Sequence, residues 1–290
     1  LGHPPGADRS FDAFLAGLPD ILAAADLRAV IAAVAAAAGR RGVIAQIGGH
    51  VIKTGMGPLL IRLMERRAIT HLAMNSAASI HDFELCAFGG TSEDVAAGLA
   101  DGTFGMAEET GREMNAAFRT GQARNWGMGE SLARALEARP SLPGRDHSVL
   151  LAGLRLGVQV TVHAAIGTDV IHQHPDADGA ALGDTSFRDF KRLAAAVPSL
   201  HDGGVVLNLG SAVIMPEVFL KALTIARNLE GGRPTDFTAV DFDMIRHYRP
   251  RVNVVERPTL AGGKGYSITG HHELLVPLLV WGVDAALRRR

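Results

Sequence analysis

The sequence contains a single cysteine, Cys86, and only four lysines among its 29 basic residues. One cysteine cannot form a disulfide within the chain, which excludes the disulfide-stapled folds of small secreted proteins. The opening residues carry no secretory pattern, so we expect a cytoplasmic protein. Arginine occupies most of the basic positions, and each lysine, including Lys53 and Lys264, therefore needs a specific explanation.

An excess of charge and a long apolar run are also missing. The formal net charge is -1, and the basic residues are scattered without forming a stripe. Nucleic-acid binding needs a concentrated basic surface, and a bilayer is spanned by roughly 18 to 20 consecutive apolar residues. We therefore expect neither a nucleic-acid partner nor a membrane-spanning segment.

The 290 residues, 47% of them hydrophobic, are enough to form one large core. Short apolar runs predict strands at Val43–Ile47, His71–Met74, Val158–His163, Val205–Leu209, Phe237–Asp241 and Val252–Glu256. Helical periodicity predicts helices at Asp12–Leu18, Leu27–Ala38, Pro58–Arg67, Ser92–Leu99, Gly105–Gln122, Glu130–Glu137, Ser186–Ala196, Pro216–Leu229 and Glu273–Leu287. This alternation predicts an α/β fold, a Rossmann-like doubly wound and mostly parallel sheet with helices on both faces.

Proline and glycine concentrate at 139–145, which we interpret as a surface connection inside one domain. The first 40 or so residues then form an N-terminal helical extension of that domain. In such sheets ligands bind beyond the carboxyl ends of the strands, near the switch in strand order. The loops that follow the strands are therefore the places to look for functional residues.

The first of these loops, Gly48–Gly57, lies between a strand and a helix. Its glycines allow close approach of a ligand, and free backbone N–H groups at a helix N-terminus favour an anion such as a pyrophosphate. Lys53 and Thr54 are candidate phosphate contacts. The loop is not the usual G-x-G-x-x-G sequence, so a simple turn with a solvated lysine is the alternative.

The second loop, Asn75–Glu84, combines small residues with His81, Asp82 and Glu84. Asn75 and Ser76 leave room for a cofactor, and the imidazole and carboxylates could bind hydroxyls or an amine, or move a proton. Capping of a helix by the acidic residues is the alternative explanation.

The third loop runs from His163 to Asp184 and contains Asp169 together with alternating histidine and aspartate. Imidazole and carboxylate groups suit zinc and related ions, but the spacing matches no known metal motif. We favour a polar loop that faces a substrate, with no metal, and keep a metal centre at 163–178 as the alternative.

Two further glycine turns precede helices. Gly210 and Ser211 end an apolar strand, and their alternative role is an ordinary strand-to-helix turn. Lys264 lies between glycines ahead of the last helix, where it could bind phosphate or form an imine with a substrate. His271 follows in the same segment as a candidate proton carrier, although it and His272 could equally be cap and surface residues.

Taken in order, these segments resemble the deoxyhypusine synthase family. The segment from Gly48 to Arg66 is similar to the family's first nucleotide loop and helix, and Met74 to Leu85 stands where the family has a Thr-Ala-Gly-Gly turn followed by acidic residues. The remaining similar segments are Ile166 to Asp169, Asp178 to Phe190, Val205 to Asn228 and Glu273 to Val280. The resemblance covers roughly residues 40 to 285, and the family forms a single large domain.

The resemblance implies an NAD-dependent enzyme. It implies NAD contacts at Gly48, Gly49, Asn75, Ser76, Asp169, Gly210 and Ser211. Family members are homotetramers that oxidise spermidine and transfer its aminobutyl group through an enzyme-lysine imine, so the resemblance also implies a homo-oligomer, a tetramer or dimer. The family's Ser-Trp-Gly-Lys stretch is absent here, and Lys264 lies closer to the final helix than the family's lysine does.

The leading hypothesis is therefore an NAD-dependent transferase or oxidoreductase that acts on a C–N bond of a small amine or amino acid. We assign catalytic roles to Lys264, Asp169, Glu84 and His271, and substrate contacts to His81, Asp82, His163 and Asp184. A metal-dependent hydrolase or lyase and a non-catalytic nucleotide-binding sensor are the alternatives.

Overall fold

A computed structural model describes residues 1–4 and 6–290. Its centre is a six-stranded sheet in the order β3-β2-β1-β4-β5-β6, and every neighbouring pair is parallel. The strands are β1 (Val43–Ile47), β2 (His71–Asn75), β3 (Gln159–His163), β4 (Val205–Leu209), β5 (Thr238–Asp243) and β6 (Lys264–Thr269). This is the predicted Rossmann-like arrangement.

Helices connect the strands and cover both faces of the sheet. They are α1 (Phe11–Gly17), α2 (Leu22–Ala37), α3 (Gly49–Lys53), α4 (Gly57–Glu65), α5 (Ser76–Phe88), α6 (Val95–Asp101), α7 (Glu108–Arg124), α8 (Met128–Glu137), α9 (Val149–Leu156), α10 (Gly179–Ala196), α11 (Ile214–Leu229), α12 (Tyr248–Pro250) and α13 (His272–Arg288). None of the helices in the described part of the chain has the length and apolarity needed to cross a membrane.

The sequence prediction is wrong for the sixth strand. Residues Arg251–Glu256 form a π-helical segment continuous with α12, and the sixth strand is Lys264–Thr269 instead. β-Branched residues favour strands in isolation, but Val254 is buried against α11 and the sheet, where helical geometry packs equally well. The true strand lies at the sheet edge, is mostly exposed and contains a glycine, so it lacks the apolar pattern of a buried strand.

Side chains alternate between the two faces of the sheet, as a period of two requires. Val43, Ala45 and Ile47 of β1 join the core under α2, α4, α5, α9 and α13. Ile44 of β1 and Val206 of β4 join a second core under α10 and α11. Helix α2 packs on α13 and buries six of its sixteen residues, so the predicted N-terminal extension contributes side chains such as Val30 and Val34 to the core.

Local sequence sets where the helices begin at the carboxyl edge of the sheet. The side chain of Asn75 accepts a hydrogen bond from the backbone N–H of Ala78 at 3.0 Å and caps α5. Asp178 caps α10 in the same manner, accepting from Ala180 N at 2.8 Å. These caps satisfy N–H groups that the first helical turn leaves free.

Candidate functional site

The strand order reverses between β1 and β4, and the two loops that leave these strands touch there. A Cβ atom on Gly48 would lie 2.1 Å from the carbonyl oxygen of Gly210, so no larger residue fits. Gly210 has a φ of +66°, which favours glycine. Both loops are fixed, because Gly48 N–H donates to Leu209 O and Gly210 N–H donates to Phe242 O, each at 3.0 Å. Backbone atoms, and not side chains, therefore form the floor of this crevice.

Four helices begin at this edge, directly after β1, β2, β4 and β6, namely α3, α5, α11 and α13. Each N-terminus carries partial positive charge, although Asn75 caps one N–H group of α5 and the Ser211 hydroxyl accepts from Met215 N in α11. Lys53, at the end of the short helix α3, is exposed nearby. The combined field favours a ligand with negative charge.

The carboxyl ends of β2 and β3 bring together several of the predicted residues. Asn75 pairs in register with His163, and the Ser76 hydroxyl donates to a carboxylate oxygen of Asp169. Burial raises the pKa of Asp169, while the Ser76 hydrogen bond and His172 oppose that shift. A hydroxyl directly after β2 and a carboxylate in the loop after β3 are suited to binding the hydroxyl groups of a ribose.

His163 faces inward at this end of the sheet. Its Nε2 atom lies 3.0 Å from the hydroxyl of Thr161, which also lies 2.9 Å from Nε2 of His71. Burial lowers the pKa of His163 to about 3 and that of His71 to about 4. Both imidazoles are therefore neutral at pH 7. The hydrogen bond of His163 is made to Thr161 within the buried part of β3.

A second polar group lies on α5 beside the first glycine loop. His81 Nδ1 lies 2.7 Å from the Thr91 hydroxyl, which donates to Glu84 at 2.5 Å, and Thr110 donates to the other oxygen of Glu84 at 3.0 Å. Burial lowers the pKa of His81, and the charge of Lys53 lowers it further. Because Thr91 gives its only proton to Glu84, His81 Nδ1 is the donor and its Nε2 is free to accept a proton.

Buried polar residues on the face toward α10 and α11 extend the site beneath the crevice. Gln46, Asn208 and Asp241 are adjacent in register on β1, β4 and β5. Asn208 donates to Asp241 at 2.8 Å, but Asn208 Oδ1 and the amide of Gln46 have no hydrogen-bond partner among the described residues. Burial raises the pKa of Asp241 to about 6. Buried polar atoms are normally satisfied, so this row is suited to meet a polar ligand or ordered water.

The β5 and β6 side of the crevice holds a histidine pair. Nδ1 of His50 lies 3.0 Å from Nδ1 of His272, and Nε2 of His272 lies 3.3 Å from Phe242 O and 4.0 Å from Asp243 Oδ1. His272 is buried, while His50 is exposed. Burial lowers the pKa of His272, although Asp243 opposes that shift. A Cβ on Gly210 would come within 2.6 Å of the His272 ring, so the pair lies against the switch-point loop.

Four predicted residues do not join these groups within the chain. Asp82 is buried and accepts hydrogen bonds from the Ser148 hydroxyl and from two N–H groups at the start of α9, and Asp184 pairs with Arg188 on α10 at 2.8 Å. Lys264 is exposed at the amino end of β6, the opposite edge of the sheet.

The fourth of these residues, His271, is an exposed N-cap residue 3.8 Å from Glu273. Its neighbour His272 reaches the site instead, because the turn into α13 directs the two side chains differently. Thr54 lies at the end of α3, where its hydroxyl donates to His50 O at 2.9 Å.

Sequence reasoning missed His50, Asn208, Asp241 and Asp243 as site residues, and it assigned His272 no firm role. Asp241 and Asp243 alternate at the end of a strand, which is a detectable signal. The pairing of His50 with His272 spans most of the chain and has no local signal. The described residues contain no group of three or more histidine, cysteine or acidic side chains placed to hold a metal.

The fold is similar to that of several solved structures, one of them assigned as a deoxyhypusine synthase, in agreement with the sequence resemblance. A protein assigned as a deoxyhypusine synthase from Entamoeba histolytica has a TM-score of 0.58 and 10% identity, over 98% of this chain and 96% of that one. An LOR/SDH protein from Methanococcus maripaludis S2 has a TM-score of 0.54 and 15% identity, over 90% of this chain and 69% of that one.

The ternary complex of AgrE with ornithine and NAD+ has a TM-score of 0.57 and 15% identity, over 92% of this chain but only 34% of AgrE. The chain thus spans about a third of that protein. No protein-family model and no curated protein matches the chain. At these identities the likeness is one of fold.

Proposed function

We propose that this chain is an NAD-dependent enzyme that oxidises a C–N bond of a small amine or amino acid. The observation that carries the proposal is the contact of Gly48 with Gly210 at the strand-order switch, where a backbone floor meets several helix N-termini. This geometry lets a pyrophosphate approach the backbone closely and neutralises its charge. The neighbouring Gly49 packs against α5, where a Cβ would lie 3.3 Å from the His81 ring.

The two halves of the sheet would hold the two halves of the dinucleotide. In this fold each half of the doubly wound sheet binds one mononucleotide. Asn75, Ser76 and Asp169 would hold the adenosine ribose at the end of β2, and Ser211 and the His50–His272 pair would border the nicotinamide. When bound, NAD+ supplies the acceptor for the electron pair that leaves the substrate.

Carboxylates at the end of β5 suit an amine substrate. Asp241 and Asp243 alternate on one face of the strand, next to the half of the crevice assigned to the nicotinamide. An ammonium group binds carboxylates through charge-assisted hydrogen bonds. AgrE, which shares the fold, was crystallised with ornithine and NAD+, and this agrees with an amino-acid substrate. Glu84 and His81 would contact the part of the ligand above α5.

The experiment has two arms. Calorimetric titration measures NAD+ and NADH binding, and absorbance at 340 nm follows NADH formation with L-ornithine, L-arginine and 1,4-diaminobutane. We expect NADH formation from at least one amine, and an Asp243→Asn variant should raise KM by about tenfold or more, since it removes the substrate's counter-ion. Binding of NAD+ without turnover of any amine would indicate a nucleotide sensor, and absence of NAD+ binding would contradict the whole proposal.

We further propose a homo-oligomer, a dimer or tetramer, following the resemblance. Apolar side chains are exposed around the carboxyl edge, with Ile166 at 63% and Ile245 at 63%, and such groups are often covered by a second subunit. Light scattering should give two or four times the 30.5 kDa chain mass. A monomer at micromolar concentration would contradict this expectation.

A further inference from the structure

The His50–His272 pair has a defined arrangement of protons. Phe242 O is a carbonyl oxygen and can only accept, so the bond to Nε2 of His272 requires a proton on that nitrogen. His272 is almost fully buried and neutral, which leaves its Nδ1 with a lone pair. The 3.0 Å contact therefore requires His50 to donate from its own Nδ1.

The donor role of Nδ1 determines which nitrogen of His50 can act as a base. In the neutral form of the His50 ring the single proton lies on Nδ1, so Nε2 is the acceptor nitrogen. His272 fixes this tautomer, in the manner in which a buried hydrogen-bond acceptor orients the base of a catalytic triad. His50 is exposed at the second residue of α3, directly after the two glycines of the first loop, so its free nitrogen borders the crevice.

We propose that His50 is the general base of the site and that His272 positions it. This rests on the proposed function. His50 Nε2 takes a proton from the substrate ammonium: one N–H bond of the substrate breaks, an N–H bond forms on the imidazole, and the electron pair stays on the substrate nitrogen. The neutral amine then has the lone pair that a C=N bond needs. The positive charge on His50 is shared with His272 through the Nδ1 contact.

Charged and titratable groups on several elements lie around the pair. They are Asp243 at the end of β5, His247 within 4.0 Å of Asp243, and Glu273 on α13, with Lys53 on α3 and His81 on α5 near the first loop. Burial, the largest cause, and His50 lower the pKa of His272, whereas Asp243, 4.0 Å from its Nε2, and Glu273 raise it. His272 therefore stays neutral at pH 7 and keeps the lone pair that accepts from His50.

Nitrogen NMR of 15N-histidine-labelled protein tests the arrangement without turnover. In the free protein the ring of His50 should be protonated at Nδ1 and that of His272 at Nε2. Addition of NAD+ should shift the His50 signals, while those of His3, which lies beside Gly17 of α1, stay unchanged. A His50 ring protonated at Nε2 would overturn the assignment, whatever the activity.

Kinetics of His50→Gln test the role. We expect kcat/KM for the best amine of the panel to fall about 100-fold or more, with loss of the acidic limb of its pH profile and an NAD+ Kd within about threefold of wild type. His3→Gln, at an exposed histidine beside Gly17 of α1, should change none of these. If His50→Gln keeps the rate and the acidic limb while binding NAD+, the base assignment fails and the proposed function stands. If the unaltered protein does not bind NAD+, both fail.

Discussion

Replacing Gly48 by alanine should damage the crevice in a way that the structure allows us to quantify. The added Cβ would lie 2.1 Å from Gly210 O and 2.8 Å from Gly210 C, against backbone atoms and not a movable side chain. Non-bonded carbon and oxygen atoms need roughly 1 Å more, so one loop must retreat by about that distance. Neither loop is free to do so, because each is held by a 3.0 Å hydrogen bond to a neighbouring strand.

We expect Gly48→Ala to lose about 1–3 kcal/mol of unfolding free energy, the usual cost of forcing an extra methyl group into packed structure. The shift would also displace the N–H groups proposed to bind the pyrophosphate, so the NAD+ Kd should rise at least about tenfold. Urea unfolding and calorimetric titration measure the two effects.

Gly90→Ala is the matched control for this substitution. A Cβ at that exposed glycine would meet no atom within 4 Å, so neither quantity should change. A Gly48→Ala protein with unchanged stability and unchanged NAD+ affinity would refute the reasoning about the switch-point contact.

Two further predictions follow from the placement of single side chains. In the unfolded chain His71 is protonated below about pH 6.5, but burial lowers its pKa to about 4 in the folded chain. The unfolding free energy therefore falls by roughly 3 kcal/mol from this imidazole as the pH is lowered from about 6.5 to about 4. Urea unfolding at about pH 6.5 and pH 4 measures the unfolding free energy at each value. Its decrease between the two should be smaller for His71→Gln than for wild type, and equal decreases would contradict a buried neutral imidazole. Lys264→Arg should leave NADH formation within about twofold of wild type, because Lys264 lies at the opposite edge of the sheet from Gly48; a loss of two orders of magnitude or more would restore the imine hypothesis.

The sequence predicts most of the fold because the buried strands have a strong local signal. Val43–Ile47 and Val205–Leu209 are fully buried, and each is an apolar run with one polar residue, followed by glycine, so their bounds are predicted correctly. Val252–Glu256 has the same local character but packs on α11 as a helix. Local propensity cannot separate these cases, since tertiary contacts decide between them.

The candidate site is predictable from the sequence only in part, because some of its contacts depend on tertiary structure. Glycine turns after strands identify Gly48 and Gly210, because the position of a loop in an α/β alternation determines which edge it occupies. The sequence wrongly predicts Lys264 at that edge, because the glycine-rich segment resembles a loop but begins strand β6. The hydrogen bond between His50 and His272 joins residues more than two hundred positions apart and depends on the fold being complete.

A crystal structure of the protein grown with NAD+ tests the central claim most directly. The pyrophosphate should lie over the backbone of Gly48 and Gly210, with the adenosine toward Asn75 and the nicotinamide toward the His50–His272 pair. A dinucleotide bound elsewhere, such as in the cavity at the amino edge lined by Arg40 and Arg67, or no bound dinucleotide at millimolar NAD+, would contradict the account.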